Sequence, residues 1–360
     1  AFSGCTSLVN LVIPDSVTSI EARAFNGCTG LASVTIPASV TTIGEWAFSS
    51  CTNLASVMIP SSVTSIGAWA FYGCASLDGV TIPASVTDIG SSAFYDCARL
   101  TAIMVDEGNM SYSSLDGALF DKSQTTLIQC PGGKAGSFTI PASVTSIDYR
   151  AFRDGASLTS ITVEAGNALF SSLEGVLFDK NRRSLLRCPE GRTGRYTIPN
   201  NVSQIGELAF AACAGLTEIT IPASVTAIAM QAFAGCTSLT EMYFLGDAPF
   251  RQRPFYTGVL PTIYYLPGTT GWRDFFEGRP TVLWDPQIQT SDGSFGVQSN
   301  QFGFNLTASS ELTVVVEASS SVTNPTWAPV GTNTLAGGTA YFSDPQWINH
   351  PARCYRLRSP

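Results

Sequence analysis

The chain has 360 residues, of which 13% are charged, and its formal net charge at pH 7 is -8. This length allows two domains or one repeat domain with an appendage, and the acidic balance argues against nucleic acid or an anionic membrane surface as a partner. No apolar run approaches the roughly 18 residues that a membrane span requires.

A unit of 23 residues recurs from the first residue to about residue 241. Each copy carries an Ala-Phe pair, a Leu six positions after the Phe and, in most copies, an Ile-Pro that closes an apolar run. The Ala-Phe pairs begin at Ala1, Ala24, Ala47, Ala70, Ala93, Ala151, Ala209 and Ala232. A fixed period of roughly 20 to 29 residues, built on spaced Leu, Val and Ile, indicates a leucine-rich solenoid.

Within one unit, the pattern of apolar residues predicts two short strands and a short helical segment. Pro37 ends the first strand, because proline cannot donate to a strand ladder. The spacing of Ala47, Phe48 and Cys51 fits one or two helical turns. The residues expected to face the core of one coil are Leu31, Val34, Ile36, Val40, Ile43, Phe48 and Cys51.

The cysteines follow the same period. Five of the ten, from Cys5 to Cys97, are spaced 23 residues apart, as are Cys213 and Cys236. One Cys at one phase of the repeat predicts a column of inward-facing side chains, because a free Cys packs as a small hydrophobe. We therefore expect reduced, buried thiols, and we expect Cys354 near the C-terminus to be a core thiol as well.

Two repeats are 58 residues long, because insertions lie at about residues 106–138 and 164–196. The insertions resemble each other, and their apolar runs around a polar turn predict a β-hairpin, which either projects from the solenoid or enlarges a coil. The second insertion is rich in arginine, which forms either a patch for an acidic partner or a charged hairpin edge that resists aggregation. These arginines are Arg182, Arg183, Arg187, Arg192 and Arg195.

The chain changes character after the repeats. Residues 242–286 are dense in aromatic side chains and are predicted to cap the open end of the solenoid. Residues 287–360 contain short strand-like runs between turn residues, which predict a small β-sandwich. The predicted fold is therefore a mainly β solenoid over residues 1–241, with short strands and short helical turns in each coil, followed by a cap and a small all-β sandwich.

Residues that could support catalysis or metal binding are scarce. The single histidine, His350, rules out a multi-histidine metal site and a His-dependent triad in the solenoid. The sequence has no CxxC pair and no Walker or dinucleotide glycine motif. We predict a non-enzymatic protein that uses no metal or other cofactor.

The residues between the inward positions of each first strand should form an outward ladder, which solenoids can use to bind partners. Most ladder residues are small Ser and Thr, so the more varied ones are the candidates, together with the insertion arginines Arg182, Arg183 and Arg187. The alternative for any one of them is a merely solvated sheet face. The ladder candidates are Met58, Met104, Glu218, Glu241 and Tyr243.

The unit CTxLxxVxIPxSVTxIGxxAF, read over residues 28–48 and 51–71, resembles the BspA-like class of leucine-rich repeats, over about residues 1–245. The SLDGxLFDK segments of the insertions and YYLPGTTGW at residues 264–272 are similar to pieces of bacterial members. The resemblance implies a secreted or surface protein that binds host or neighbouring proteins, sometimes as an adhesin. The C-terminal segment is similar to small β-sandwich modules that end secreted proteins of environmental bacteria.

We therefore predict an extracellular or cell-surface protein that binds a protein ligand through its solenoid. The chain begins inside a repeat, at Ala1, so we expect the natural N-terminus to have been processed or to lie upstream. Two alternatives remain open. The protein is a structural spacer of the cell surface, or its C-terminal module binds carbohydrate through Trp327, Tyr341 or Trp347.

Overall fold

The structure is a computed structural model that describes residues 2–256, 260–321, 323–350 and 352–358. Ala1, the start of the first Ala-Phe pair, therefore lies outside the described residues. The chain divides into two compact units. The first unit comprises Ala1–Thr240 and Pro249–Leu260, and the second comprises Glu241–Ala248 and Pro261–Pro360.

The regular coils of the first unit are built from pairs of short strands. These strands are β1 (Asn10–Val12), β2 (Ser19–Ile20), β3 (Ser33–Thr35), β4 (Thr42–Ile43), β5 (Ser56–Val57), β6 (Ser65–Ile66), β7 (Gly79–Ile82), β8 (Asp88–Ile89) and β9 (Ala102–Val105). Equivalent strands of successive coils pair in parallel, in the orders β1-β3-β5, β7-β9 and β2-β4-β6-β8. Asn10 lies opposite Ser33, and Ser33 opposite Ser56, so the register equals the repeat length.

The third segment of each regular coil is a run of turns, and the prediction of a short helix there is wrong for the described coils. The N–H groups of Trp46, Phe48 and Ser50 donate to carbonyl oxygens of the next coil, at 3.0, 2.8 and 2.6 Å. The N–H groups between them donate to the carbonyl three residues earlier in the same coil. Because every second N–H is used between coils, the i→i−4 bonds of an α-helix cannot form.

Stacking the coils aligns the recurrent apolar residues into buried columns. The rings of Phe25, Phe48, Phe71 and Phe94 stack nearly parallel, with centroid separations of 5.3, 5.4 and 5.5 Å. Phe2 extends this column at 5.7 Å from Phe25 but is 52% exposed. The core of the unit therefore consists of side chains that each contact their equivalents in the neighbouring coils.

The cysteines are free, and those of the repeat column are buried except for Cys5 in the first coil. The Cys51 thiol donates to the carbonyl oxygen of Phe25 in the preceding coil, at 3.3 Å. Burial raises the pKa of Cys51 to about 12, so this thiol is protonated at neutral pH and serves packing. Cys354 is only partly buried, in contrast to the core position expected for it.

Each insertion enlarges a coil. The strands from here to the end of the repeats are β10 (Tyr112–Leu115), β11 (Ala118–Asp121), β12 (Thr126–Gln129), β13 (Gly136–Ile140), β14 (Ser146–Ile147), β15 (Leu158–Val163), β16 (Phe170–Leu173), β17 (Val176–Asp179), β18 (Ser184–Arg187), β19 (Thr193–Thr197), β20 (Gln204–Ile205), β21 (Gly215–Ile221) and β22 (Ala227–Ile228). In the first insertion β10, β11 and β12 form an antiparallel meander, and β12 pairs in parallel with β14. Leu119 and Phe120 of β11 lie in the hydrophobic core, so the insertion does not project from the solenoid.

A buried asparagine anchors the start of each meander. Asn109 is 0% exposed, and its side-chain amide donates to the carbonyl oxygens of Pro83 and Val86 at 2.8 and 2.9 Å. Its side-chain oxygen accepts two backbone N–H groups at the start of the meander, both at 2.8 Å. Asn167 makes the equivalent four hydrogen bonds in the second insertion.

We expect Asn109→Ala to lower the free energy of unfolding by at least about 2 kcal/mol, because it removes four hydrogen bonds that each contribute at least about 0.5 kcal/mol net. Urea denaturation followed by tryptophan fluorescence measures this change. Asn53, an exposed asparagine in a turn, provides the control, since Asn53→Ala should change stability by less than about 0.5 kcal/mol. Equal values for the two variants would contradict an anchoring role for Asn109.

The chain next contributes β23 (Glu241–Phe244) to the second unit and β24 (Phe250–Arg251) to the first. The remaining strands, all in the second unit, are β25 (Thr262–Tyr265), β26 (Phe275–Phe276), β27 (Arg279–Leu283), β28 (Gln287–Ile288), β29 (Gly296–Gln298), β30 (Gln301–Thr307), β31 (Thr313–Ser319), β32 (Ala328–Thr334), β33 (Thr339–Asp344) and β34 (Cys354–Arg358). Short 3₁₀ helices occupy Ala336–Gly338 and Trp347–Asn349. Within this unit β23, β25 and β27 pair in parallel, and β26 is antiparallel to β27.

The C-terminal strands of the second unit form two antiparallel sheets. One has the order β28-β30-β29, with β33 also paired to β30, and the other has the order β32-β31-β34. Phe304 and Leu306 from the first sheet share a hydrophobic cluster with Val314 and Val316 from the second. Trp284 also packs against this cluster, so part of the segment predicted as a cap contributes to the same core.

Candidate functional site

Met58 and Met104, two of the predicted binding candidates, have exposed side chains. They lie on the outward side of the first strands of the coils, which we call the strand face. Met58 is 82% exposed and Met104 is 51% exposed. Their equivalents in neighbouring coils are small polar residues such as Thr35 and Thr81. The strand face therefore offers single apolar side chains on a mostly hydroxyl surface.

Two other ladder candidates are buried, in contrast to the outward positions expected for them. Glu218 is 8% exposed, because Arg195, its register partner on the preceding coil, pairs with it at 3.3 Å. Tyr243 is 5% exposed, since its ring stacks on Tyr264 at 4.7 Å. Glu241 is partly buried. Neighbouring long side chains, which strand alternation does not reveal, cover these positions.

The arginines of the second insertion do not form one free cationic patch. Arg187 is 6% exposed and is ion-paired with Glu190, which corrects its expected surface position. Arg192 lies 3.9 Å from Glu174, and Arg195 pairs with Glu218 as described above. Arg183 is exposed and Arg182 half-buried.

A contiguous group of aromatic side chains lies on the turn segments, outside the strand ladder and the insertion arginines that the sequence indicated as candidates. Trp46 and Trp69 stack with centroids 5.1 Å apart and planes 7° from parallel. Tyr72 and Tyr95 stack at 5.6 Å and 9°. The two stacks meet edge to face, with Trp69 5.4 Å from Tyr72, and all four rings are half-buried.

Arginines from the next coil cover one end of these stacks. The guanidinium of Arg150 lies 4.8 Å from the Trp69 centroid, 5.5 Å from Tyr95 and 4.8 Å from Tyr149. Arg153 donates to the Tyr95 hydroxyl at 2.9 Å. We call Trp46, Trp69, Tyr72, Tyr95, Arg150 and Arg153 the turn-face array.

Two carboxylates border the turn-face array. Asp154 accepts a hydrogen bond from the backbone N–H of Asp96 at 2.7 Å. Burial raises the pKa of both carboxyl groups above the ordinary aspartate value. The Arg153 guanidinium partly offsets this rise, so the border of the array mixes both signs of charge.

A cavity of about 210 Å³ adjoins the array where the first enlarged coil begins. The sheet β2-β4-β6-β8 ends at β8, and a new sheet starts with the meander. The Tyr112 hydroxyl at the start of this meander accepts the backbone N–H of Ile89 at 2.9 Å. The polar residues that line the cavity include Ser91, Ser92, Gln129, Asp148 and Arg150.

The array carries a signal that sequence reasoning could have used. Trp46 and Trp69 are 23 residues apart, and so are Tyr72 and Tyr95, so each pair occupies one phase of the repeat. Trp46 and Trp69 have left-handed φ values of 59° and 60°, an uncommon conformation for large residues. Contacts with the next coil hold the rings in this conformation.

The aromatic residues proposed for carbohydrate binding are separate from one another. Arg356 covers the ring of Trp327 at 4.5 Å, and the Trp347 indole N–H donates to the Asn300 carbonyl at 3.2 Å. Tyr341 is 46% exposed. No ring contact joins any two of these three side chains in the described part of the chain.

Among the described residues, no three or more His, Cys, Asp or Glu side chains are grouped so that they could hold a metal ion. In the same residues, no helix has the length and apolar character needed to cross a membrane.

The model of the BspA type leucine-rich repeat region matches in six copies, over residues 1–126, 132–185 and 192–256. The chain belongs to this BspA-type family. The BspA-type match ends at residue 256, so the similarity of the C-terminal sheets to secreted β-sandwich modules stays a prediction.

Solved structures of bacterial proteins are similar to this BspA-type chain. A leucine rich cell surface protein from Faecalibacterium prausnitzii is 30% identical, with 69% of this chain and 76% of that chain covered and a TM-score of 0.46. The pneumococcal vaccine antigen PcpA is 20% identical, with 73% of each chain covered and a TM-score of 0.45. A leucine-rich repeat protein from Eubacterium ventriosum is 23% identical, with 65% and 72% covered and a TM-score of 0.45. No curated protein sequence matches the chain.

Membership in the BspA-type family indicates a role in protein binding or surface recognition. It also indicates an extracellular or surface location.

Proposed function

We propose that this BspA-type protein is a non-enzymatic adhesion protein that binds a protein partner outside the cell, with the turn-face array as its main contact. The supporting observation is the contiguous group of two Trp, two Tyr and two Arg side chains on neighbouring coils. Trp, Tyr and Arg are the residues that most often dominate the energy of protein interfaces.

The array is better suited to this role than the strand face. Its rings are held by stacking against each other, so they lose little conformational freedom when a partner binds. The strand face offers Met58 and Met104 as isolated side chains, which makes it a secondary contact in this proposal.

The proposal is tested by two matched pairs of substitutions. Trp46→Ser with Trp69→Ser copies Ser92, the residue that the chain itself carries at this phase one coil later. Met58→Thr with Met104→Thr copies Thr35 and Thr81 on the strand face. A partner is first captured from cell-surface and extracellular protein with the intact chain, and its affinity for each variant is then measured by surface plasmon resonance.

We expect the tryptophan pair to weaken binding by at least about 10-fold, because interface hot spots cost about 2 kcal/mol or more when truncated. The methionine pair should weaken it by less than about 3-fold, since most other interface residues cost under about 1 kcal/mol. The reverse order would place the contact on the strand face. If no protein is captured, the spacer hypothesis is favoured. Binding in a glycan array that is lost on Trp327→Ala would support the carbohydrate hypothesis instead.

A further inference from the structure

Arg150 is a cation that the protein holds in position without neutralising it. The rings of Trp69, Tyr95 and Tyr149 surround its guanidinium. None of the ion pairs among the described residues includes Arg150. Its side-chain hydrogen bond, to the Ser92 hydroxyl, is long at 3.4 Å. Most of the five N–H donors of this guanidinium are therefore without an acceptor in the described part of the chain.

The carboxylate nearest to Arg150 in the sequence is already engaged. One oxygen of Asp148 accepts the backbone N–H of Arg150 at 2.9 Å, which shapes the local turn. Asp148 and Arg150 both line the cavity of about 210 Å³. A water molecule occupies about 30 Å³ in the liquid, so the cavity has room for a side chain of a partner.

A guanidinium that is rigid and unpaired is suited to a carboxylate, because its planar fork of N–H donors matches the two carboxylate oxygens. The aromatic rings do not offer a platform for a sugar in the same place. Trp46 covers one face of Trp69, and Arg150 lies over the other. Tyr72 stacks on Tyr95, over which Arg150 and Arg153 also lie. At the cavity, the charge of Arg150, and not a free face of Trp69 or Tyr95, is therefore the group that a carboxylate or a sugar would contact.

We propose that the Arg150 cavity binds the carboxylate of an Asp or Glu side chain on an exposed peptide segment of the protein partner. This inference rests on the proposed function and adds the chemistry of the contact. The second enlarged coil has an equivalent cavity of about 240 Å³, but the residue equivalent to Arg150 there, 58 positions later, is Leu208. Leu208 is only 7% exposed, so the carboxylate contact belongs to the first cavity alone.

The test uses the intact chain and two fluorescent synthetic peptides that differ only at their centre, one with Glu-Glu and one with Gln-Gln. Fluorescence anisotropy gives both affinities for the wild type and for Arg150→Leu, which copies the residue at position 208. Arg183→Leu removes an exposed arginine outside the array and is the charge-matched control. Circular dichroism verifies that each variant is folded, and Arg150→Lys keeps the charge but removes the planar fork.

We expect the wild type and Arg183→Leu to bind the Glu peptide about 10-fold or more tightly than the Gln peptide, as charge-assisted hydrogen bonds allow. Arg150→Leu should remove this preference, and Arg150→Lys should retain part of it. The proposal is wrong if the wild type shows no preference up to about 5 mM peptide, a concentration at which single contacts are detectable, or if Arg150→Leu keeps the preference. It is also wrong if a glucuronate oligosaccharide binds more tightly than the Glu peptide.

Affinity for the captured partner separates this inference from the proposed function. If Arg150→Leu leaves partner binding unchanged while the tryptophan pair weakens it, the array is the contact and the carboxylate site fails. If neither change affects the partner, the proposed function fails at this surface.

Discussion

Glu190→Gly is expected to lower the free energy of unfolding by about 3 to 5 kcal/mol, the cost of removing one partner from a buried ion pair. Arg187 and Glu190 are 6% and 5% exposed. The Arg187 guanidinium also donates to the carbonyl oxygens of Leu208 and Phe152, at 2.6 and 3.0 Å. These carbonyls hold the guanidinium in place, so the variant would leave a buried charge without its carboxylate.

The first enlarged coil contains a neutral version of the same site. Gln129, equivalent to Arg187, donates to the Phe94 carbonyl oxygen at 2.8 Å, as Arg187 does to Phe152. Gly132 stands where the second coil has Glu190. The double variant Arg187→Gln/Glu190→Gly therefore transplants a pair that the chain already uses, and we expect it to recover most of the loss, because replacing a buried ion pair is often neutral.

Hydrogen exchange in addition to urea denaturation is the measurement for these variants, since repeat proteins open locally as well as globally. If the single and double variants lose the same free energy, the two side chains are not coupled. Burial raises the pKa of Glu190 to about 7. The part of the stability that depends on protonating Glu190 is therefore complete below the ordinary pKa of 4.5 and is lost as the pH rises through 7, whereas the ion pair with Arg187 requires the ionised carboxyl. The comparison belongs at pH 8, where the carboxyl is ionised.

The sequence predicts the solenoid because its core positions repeat at the register of the sheets. Phe48 and Phe71 occupy one phase of the repeat, Cys51 and Cys74 occupy another, and all four side chains are 0% exposed. The length of the repeat therefore determines both the pairing of the strands and the columns of the core. The repeat length predicts the position of a residue correctly wherever that residue contacts the equivalent residues of the neighbouring coils.

The repeat pattern does not predict burial where a residue contacts side chains that are not its equivalents in the neighbouring coils. Glu218 is buried because the coil before it supplies Arg195, and Arg187 because its own turn supplies Glu190. Neither partner follows from strand alternation. The position of Arg150 in the turn-face array depends on the first insertion. The enlarged coil places Arg150 beside Ser92, although the two residues are 58 positions apart. The site therefore arises at the junction of a 23-residue and a 58-residue coil, which the pattern of a single repeat does not describe.

The second large effect is expected from Phe71→Ala, at about 3 to 5 kcal/mol for a buried Phe. Phe71 is 0% exposed and stacks between Phe48 and Phe94 at 5.4 and 5.5 Å. Backbone hydrogen bonds between coils fix the spacing of the coils. The rings of Phe48 and Phe94 therefore cannot approach each other to fill the cavity left by Phe71. The expected cost includes both the lost burial of the ring and the cavity that remains.

The same column supplies the control. Phe2 occupies the equivalent position in the first coil but is 52% exposed, and among the described residues its one ring contact is with Phe25. Phe2→Ala should therefore cost only about 1 kcal/mol, as expected for a side chain that buries about half of its surface. If Phe71→Ala and Phe2→Ala lowered the free energy of unfolding equally, burial of the Phe rings would not be the source of the column's contribution to stability.

Hydrogen exchange of Phe71→Ala distinguishes two ways in which the column can stabilise the unit. If stability is a sum of contacts between neighbouring coils, exchange should accelerate most in the coils that contain Phe48, Phe71 and Phe94. The coils around Phe210 and Phe233, which have their own stack at 5.2 Å, should keep their protection. A uniform loss of protection over the first unit would show instead that its coils unfold as one cooperative block, because a defect in one interface would then reach every other.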